Sequence, residues 1–544
     1  VGGNYMDIYN RKSIVRTIKG ELTSQYNKAH QLKIGAEYRT TDITYNNITV
    51  LQSNYTDGEP VVRSPENNEI HNSFQSMDNP FTKEPLDGRH PLEFSAYIQD
   101  KIESDDMVVN LGVRYDYFNS QFWVLNDFRD PNYLSPVMPI NRWHDTNKDG
   151  QISEDEMNNE NLKTLDERLE SNALGSPWYD KATPKTQFSP RFALAFPITD
   201  KGYLHFSYGH FFQNPSFSFI YNNPEFEVPA ASGIGYTMGN ADMEPQRTTQ
   251  YEVGMSYQFL PSAAIDVTAF AKNTTGQVVI GKNDAVDINN TYGVAQDAFY
   301  YKNGDFTTVN GFEFTLRTRR VSNLQTYASY TWSDARGINS DPNTGAGNLA
   351  QDALSPPPLM ISPLYYHNKH RGAVALDYRF SEGMLNGLGV NFEYKVNSGH
   401  PYTLSDGGMG QRAADGGAIL ADARSREPQE PVGSSTTPWQ RYANLKVDYN
   451  LSLGGVGVTL FAYVNNLFDT RNVINVYSRS GNAYDDGFLT DPALSTEIVA
   501  ANGQDYVDLY RNVNLENRQH FMGDFGLDVF ATPQIVKMGV SVNF

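Results

Sequence analysis

The chain has 544 residues, enough for several soluble domains, yet only 39% are hydrophobic while 13% are aromatic. No apolar run approaches the roughly 18–20 residues that a membrane helix requires, which excludes a helical membrane protein. A net charge of -20 argues against nucleic acid as a partner, and the lack of cysteine excludes disulfides and thiolate metal sites.

The chain opens "VGGNYMDIYNRKS" without an initiator Met, so a preceding segment is expected. From there, alternation dominates. Strands are predicted over 13–26, 31–46, 91–104, 106–121, 185–198, 202–213, 247–259, 263–280, 305–319, 324–338, 366–380, 387–400, 438–452, 456–468 and 534–544. In the fourth, Met107, Val109, Leu111, Val113, Tyr115 and Tyr117 share one face, and Val108, Asn110, Gly112, Arg114 and Asp116 the other. Strand side chains alternate between faces, so such a segment has one apolar and one polar side. The last strand does the same, with Val536, Met538, Val540, Val542 and the terminal Phe544 opposite Lys537, Gly539, Ser541 and Asn543.

A soluble β-sandwich also alternates; the connections separate the two cases. Short turns (27–30, 104–106, 199–202, 260–264, 321–323, 454–455) take turns with long polar loops (47–90, 122–184, 214–246, 281–304, 339–365, 401–437, 469–533). Short turns at one end and long loops at the other mark an outer-membrane barrel, and the many Tyr and Phe at strand ends suit its interfacial girdles. The expected fold is therefore all-β, a transmembrane antiparallel β-barrel. Bacterial single-chain barrels have an even number of strands, and an open edge in lipid leaves backbone groups unsatisfied. About fifteen strands thus imply a larger polypeptide, with its first strands before Val1 and residues 1–12 ending an external loop.

Several stretches carry a resemblance. "GNADMEPQRTTQYEVGMSYQF" (239–259) resembles a stretch of the TonB-dependent outer-membrane receptors, with Ala241 and Gln246 where that family usually has Pro and Glu. "YIQDKI" (97–102), "LGVRYDYF" (111–118), "FSPRFALAFPI" (188–198), "NSGHPYT" (397–403) and "VNNLFDTRN" (464–472) resemble family segments too. The resemblance implies that 1–544 is the C-terminal part of a barrel of about 22 strands with a plugged lumen. It also implies active uptake of a nutrient (metal chelate, glycan or peptide) driven by the TonB complex acting through a plug outside this sequence. Outer-membrane lipid is an expected partner, and a surface lipoprotein serving as a lid is a further one. The alternative is a passive pore or a surface-binding scaffold.

One stretch belongs to a different chemistry. "DTNKDGQISEDE" (145–156), inside the external loop 122–184, meets every position of an EF-hand-type calcium loop. Asp145, Asn147 and Asp149 offer side-chain oxygens, Gly150 the sharp turn, Gln151 a carbonyl and Glu156 a bidentate carboxylate. An acidic, solvated loop is the bland reading. Leu162, Leu165 and Leu169 predict a short exiting helix, whereas Pro136 and Pro139 argue against an entering one. With half an EF-hand, Ca2+ is expected as a structural staple of the loop and not as a sensor.

Other constellations are weaker. His367 and His370 are three apart, which on a strand places them on opposite faces. No G-x-S-x-G, H-E-x-x-H or Walker motif occurs, and no enzymatic role is expected. The aromatic loop 211–236 suits either a ligand or packing of loops over the barrel mouth.

Overall fold

The computed structural model describes residues 6–50, 55, 56, 59, 60, 89–126, 128, 139–164, 167, 179–222, 237–282, 299–339, 341, 342, 360–405, 428–519, 521, 522 and 528–543. One antiparallel sheet dominates them. It runs β1 (Met6–Gln25), β2 (His30–Val50), β3 (Leu92–Glu103), β4 (Val108–Asn119), β5 (Lys185–Thr199), β6 (Gly202–Gln213), β7 (Gln246–Leu260), β8 (Ala263–Lys282), β9 (Phe299–Thr318), β10 (Leu324–Gly337), β11 (His370–Arg379), β12 (Leu388–Asn397), β13 (Gln440–Leu453), β14 (Val456–Asn465) and β15 (Ile535–Asn543). Each strand pairs with the next in chain order, and the path from β1 to β15 is open. All fifteen expected strands are present. The largest shifts are at β1 and β9, which start at Met6 and Phe299 instead of 13 and 305.

Register keeps the two faces separate, with shifts only at Gly202, before Leu260 and around Gly276 among the described residues. Leu22, Ile34, Ile98, Val113 and Pro190 stand opposite one another on β1 to β5. Phe206, Val253, Ala269, Phe312 and Trp332 do so on β6 to β10, and Leu445, Val464 and Val536 on β13 to β15. This apolar face is bare: Ile18 is 74% exposed and Met538 78%. A contiguous apolar surface of this size is the lipid-facing side of a membrane wall. Phe544 lies outside the described residues.

The other face is polar and internally paired. Lys33 reaches Glu21 at 3.0 Å, Arg114 Nε donates to Asp116 at 2.7 Å, and Arg379 bridges Asp377 and the buried Asp448. Glycines on this face have a packing reason. Gly35, Gly254, Gly311 and Gly539 stand directly opposite Tyr97, His205, Phe270 and Phe461 on the neighbouring strand. A Cβ on any of the four would come closer than 3.0 Å to the facing ring. Each ring lies across the neighbouring glycine and shields backbone that a side chain would otherwise cover.

Short turns close one end of the sheet. Gly454 and Gly455, at φ 59° and 92°, make the two-residue turn between β13 and β14, which needs both central residues left-handed. The described parts of the long connections lie at the other end. Between β4 and β5, Trp123–Leu125 pairs with Tyr179–Lys181, and α1 (Pro139–Arg142) forms one helical turn. That turn corrects the expectation of no entering helix: Pro139 sits at its first position, where proline loses no helical hydrogen bond. Of the expected exiting helix, Glu167 is helical, while Leu165 and Leu169 lie outside the described residues.

α2 (Phe217–Tyr221) takes part of the aromatic loop into a loop core, with Ile220 and Tyr221 fully buried; residues 223–236 lie outside the described residues. The loop 469–533, read from the sequence as a long polar connection, holds α3 (Pro492–Tyr510). Asp491 caps it by accepting from Ala493 N at 2.9 Å, Pro492 starts it, and Gly503 kinks it at φ 72°. Its few apolar residues (Leu494, Ile498, Tyr506) pack on Phe488 and Tyr510.

Candidate functional site

β2, β3 and β4 bring charged side chains together on the polar face near the long-loop end. Register sets Arg39 opposite Glu93 and Ser95 between Glu37 and Asp116. Arg39 donates to Glu37 at 2.6 Å and lies 3.7 Å from Glu93. These residues and Arg114 line a cavity of about 470 Å3, roofed by the β6 exit from Phe212 to Phe217. Two buried polar atoms at this cavity lack a protein hydrogen-bond partner, Arg39 Nε and Asn214 Oδ1. A donor and an acceptor left open beside mixed charges suit a polar ligand or ordered water rather than an apolar one. The connection from β2 to β3 is long, so the pairing of Arg39 with Glu93 does not follow from sequence spacing.

The roof is itself a folded core. Phe118 at the end of β4, Phe122, Trp123 and Tyr179 from the connection after it, and Tyr221 and Met238 from the connection between β6 and β7 pack together. Tyr221 donates to Ser120 O at 2.6 Å, the Arg89 guanidinium lies 4.0 Å from the centre of the Phe122 ring, and burial raises the Tyr221 phenol. The stretch 239–244 locks this core to the wall. Gly239 sits so close to α2 that a Cβ would meet Ile220 O at 2.6 Å, and Asn240 N donates to Phe219 O at 3.0 Å. Asp242 Oδ1 accepts from Thr183 N at 2.6 Å, Thr183 Oγ1 at 2.7 Å and the buried Lys185 Nζ at 3.0 Å. Burial works against the Asp242 carboxylate, but these donors outweigh it and hold its pKa below the ordinary value.

A second such lock lies in 464–472. Asn466, at φ 53°, exchanges two hydrogen bonds with the Thr470 backbone. Asn472 donates to Arg441 O and accepts from Arg441 N, both at 2.7 Å. The side chain of Asn472 thus continues the ladder of β13 beyond the end of β14. Two of the stretches that carried the resemblance therefore fasten connections to the wall, while 97–102, 111–118 and 188–198 lie within its strands.

The model of the TonB dependent receptor-like β-barrel matches residues 2–467. The chain belongs to the TonB-dependent receptor family. It lies in the outer membrane, and its bare apolar face is the side that meets lipid. Among solved structures, the chain is similar to the ferric-catecholate import receptor Fiu from K12 E. coli. They share 17% identity over 87% of this chain and 53% of that one, with a TM-score of 0.46. It is also similar to the siderophore receptor PirA from Acinetobacter baumannii (16%, 87% and 52%, 0.47) and the copper transporter OprC (11%, 98% and 57%, 0.48). The chain spans about half the length of these structures. No curated protein matches its sequence.

In this TonB-dependent receptor, the loop 145–156 turns its acidic groups onto its own backbone. Asp145 accepts from Lys148 N at 2.6 Å and Gly150 N at 2.8 Å, Asn147 Oδ1 from Asp149 N at 2.9 Å, and Asp149 Oδ1 from Gln151 N at 2.8 Å. Gly150 is left-handed, at φ 84°, as position six of such a loop demands. Glu156 is the clasp. One carboxylate oxygen accepts from Thr146 N, Thr146 Oγ1 and Asn147 N, the other from Ser153 N and Oγ. The Thr146 hydroxyl, the Ser153 amide and hydroxyl and the Asn147 amide together hold its pKa down, at about 2.

The loop ends are tied by an antiparallel bridge between Trp143 and Leu162, where His144 N donates to Asn161 O at 2.8 Å and Lys163 N to Arg142 O at 3.0 Å. Among the described residues, no three His, Cys, Asp or Glu side chains gather as a metal cluster. His367 and His370 do not converge either: buried His367 accepts from Ala335 N at 3.1 Å, whereas His370 stacks between Tyr330 and Trp439.

Proposed function

We propose that this chain is the wall of an energy-coupled importer that takes up a nutrient (a metal chelate, glycan or peptide) across the outer membrane. Family membership carries the reading; the polar, cavity-bearing face beneath a folded roof supports it. Coupling would come from the TonB complex through a plug, and a surface lipoprotein would be a lid over the roof. No catalytic step is assigned. In cells, deleting the receptor and deleting TonB should abolish uptake of the same nutrient equally. Uptake that survives loss of TonB would instead make the protein a passive pore, and binding without uptake a surface scaffold.

For the loop 145–156, the reading is a calcium staple. Asp145, Asn147, Asp149, the Gln151 carbonyl and Glu156 offer only hard oxygens, the donor set that calcium takes. Ordering a long loop is costly, and a divalent clip offsets part of that cost. Adding calcium should slow protease cleavage within 122–184, and chelation should restore it; cleavage that ignores both would end this reading. The clasp has its own signature without metal. A depressed carboxyl pKa contributes stability that is complete above the ordinary carboxylate value and lost as pH falls through the folded one. In chelator, the loop should therefore resist protease at pH 5 and above and open progressively from about 4 down to about 2, where pepsin digestion reads it. Glu156→Gln should abolish that acid transition.

A further inference from the structure

Of the arginines on the lipid-facing side, one has a charge that nothing in the described protein answers. Trp332, His370 and Trp439 form a rank at its long-loop end. His370 faces Trp332 in register and stacks on Trp439 at 5.7 Å between ring centres and 19° between planes. Tyr330 Oη lies 2.8 Å from His370 Nδ1. Trp439 is 51% exposed, as interfacial tryptophans are. Arg441 sits on the same face two residues along β13. It stands one pair deeper into the apolar band, in the rank of Val396, Gly372 and Tyr330.

Its backbone is occupied by Asn472, and its exposed guanidinium has no hydrogen-bond or ion-pair partner among the described residues. The other arginines that share this face are answered: Arg16 by Asp42, Arg247 by Glu244 at 3.3 Å, and Arg336 by Asp334 at 2.8 Å. An unpaired charge just inside the lipid boundary is unfavourable unless an anion comes from the membrane itself. A guanidinium presents a planar fork that matches phosphate oxygens two at a time.

We infer that Arg441, one pair below the stacked Trp439 and His370, holds the phosphate of an anionic lipid headgroup in the outer leaflet. The lipid supplies the countercharge that Asp42, Glu244 and Asp334 supply elsewhere, and the stacked pair of rings lies next to it at the boundary. A free phosphate would gain the same fork, but it would have to leave water for the lipid boundary.

The test uses the full-length receptor reconstituted in vesicles of phosphatidylcholine, with or without phosphatidylglycerol. Wild type should melt several degrees higher with phosphatidylglycerol, and Arg441→Gln should lose that gain while melting no lower than wild type in phosphatidylcholine alone. Arg16→Gln, whose parent is already paired, should keep the gain. Equal gains in wild type and Arg441→Gln would overturn the site. The same gain from inorganic phosphate in phosphatidylcholine vesicles would overturn the lipid as its occupant. Independently of any variant, native mass spectrometry of wild type from mixed micelles should show phosphatidylglycerol retained over phosphatidylcholine; no preference would also overturn it.

Discussion

Gly311→Val is expected to keep the wall from assembling, while Gly20→Val leaves assembly intact. Gly311 lies mid-way along β9, opposite Phe270, and a Cβ there would collide with the Trp332 carbonyl oxygen and lie 2.7 Å from the Phe270 ring. The ring could swing away, but the carbonyl belongs to the ladder joining β9 to β10 and cannot move without breaking it. Overpacking a well-packed site costs about 1–3 kcal/mol, and more where backbone must yield, so about 3 kcal/mol or more is expected for valine here. Gly20 is also a mid-strand glycine, yet nothing lies within 4 Å of its would-be Cβ. The heat-dependent gel shift of the folded barrel in membrane fractions separates the two. A normal shift for Gly311→Val would show that the ring-over-glycine packing is dispensable.

Asn472→Ala is the second large effect. Asn472 is 3% exposed, and its amide pairs with both the N–H and the C=O of Arg441, where β14 has already ended at Asn465. Alanine would leave two main-chain groups without partners, each costing about 1–3 kcal/mol when buried. The expected loss is about 3 kcal/mol, seen as a lower urea midpoint of the barrel in detergent. Asn472→Asp keeps the acceptor and loses the donor, so it should fall between alanine and wild type. If alanine leaves the midpoint unchanged, water replaces the amide and the lock is redundant.

The strands were legible because each meets two different solvents, lipid on one side and a polar interior on the other, and that contrast writes alternation into residues such as 107–117. Turns and loops were legible because their lengths differ at the two ends. α3 was missed although Asp491 and Pro492 spell a helix start; few apolar residues follow, and the kink at Gly503 breaks their period. The charged cavity was illegible for another reason. Arg39 and Glu93 meet only through the register of β2 with β3, set by hydrogen bonds between strands far apart in sequence. In 145–156 the residue types announced a loop of hard oxygens and the turn at Gly150. They did not announce that Glu156 reaches back to Thr146 and Asn147, which depends on how one side chain rotates.

The register from β1 to β15, which shifts only at Gly202, before Leu260 and around Gly276 among the described residues, also limits how such a protein can change over time. Odd and even positions decide what each side chain touches, so a single residue gained or lost within a strand would turn lipid-facing residues inward along the remainder of that strand. Substitution edits the wall freely, whereas a change of length inside a strand needs a shift of the kind found around Gly276. Length varies more readily where strands stop, in the connections that carry α1, α2 and α3. A lineage that needs a new binding preference would therefore be driven to lengthen, shorten or exchange those connections, leaving the strand count and their parity as an inherited constant.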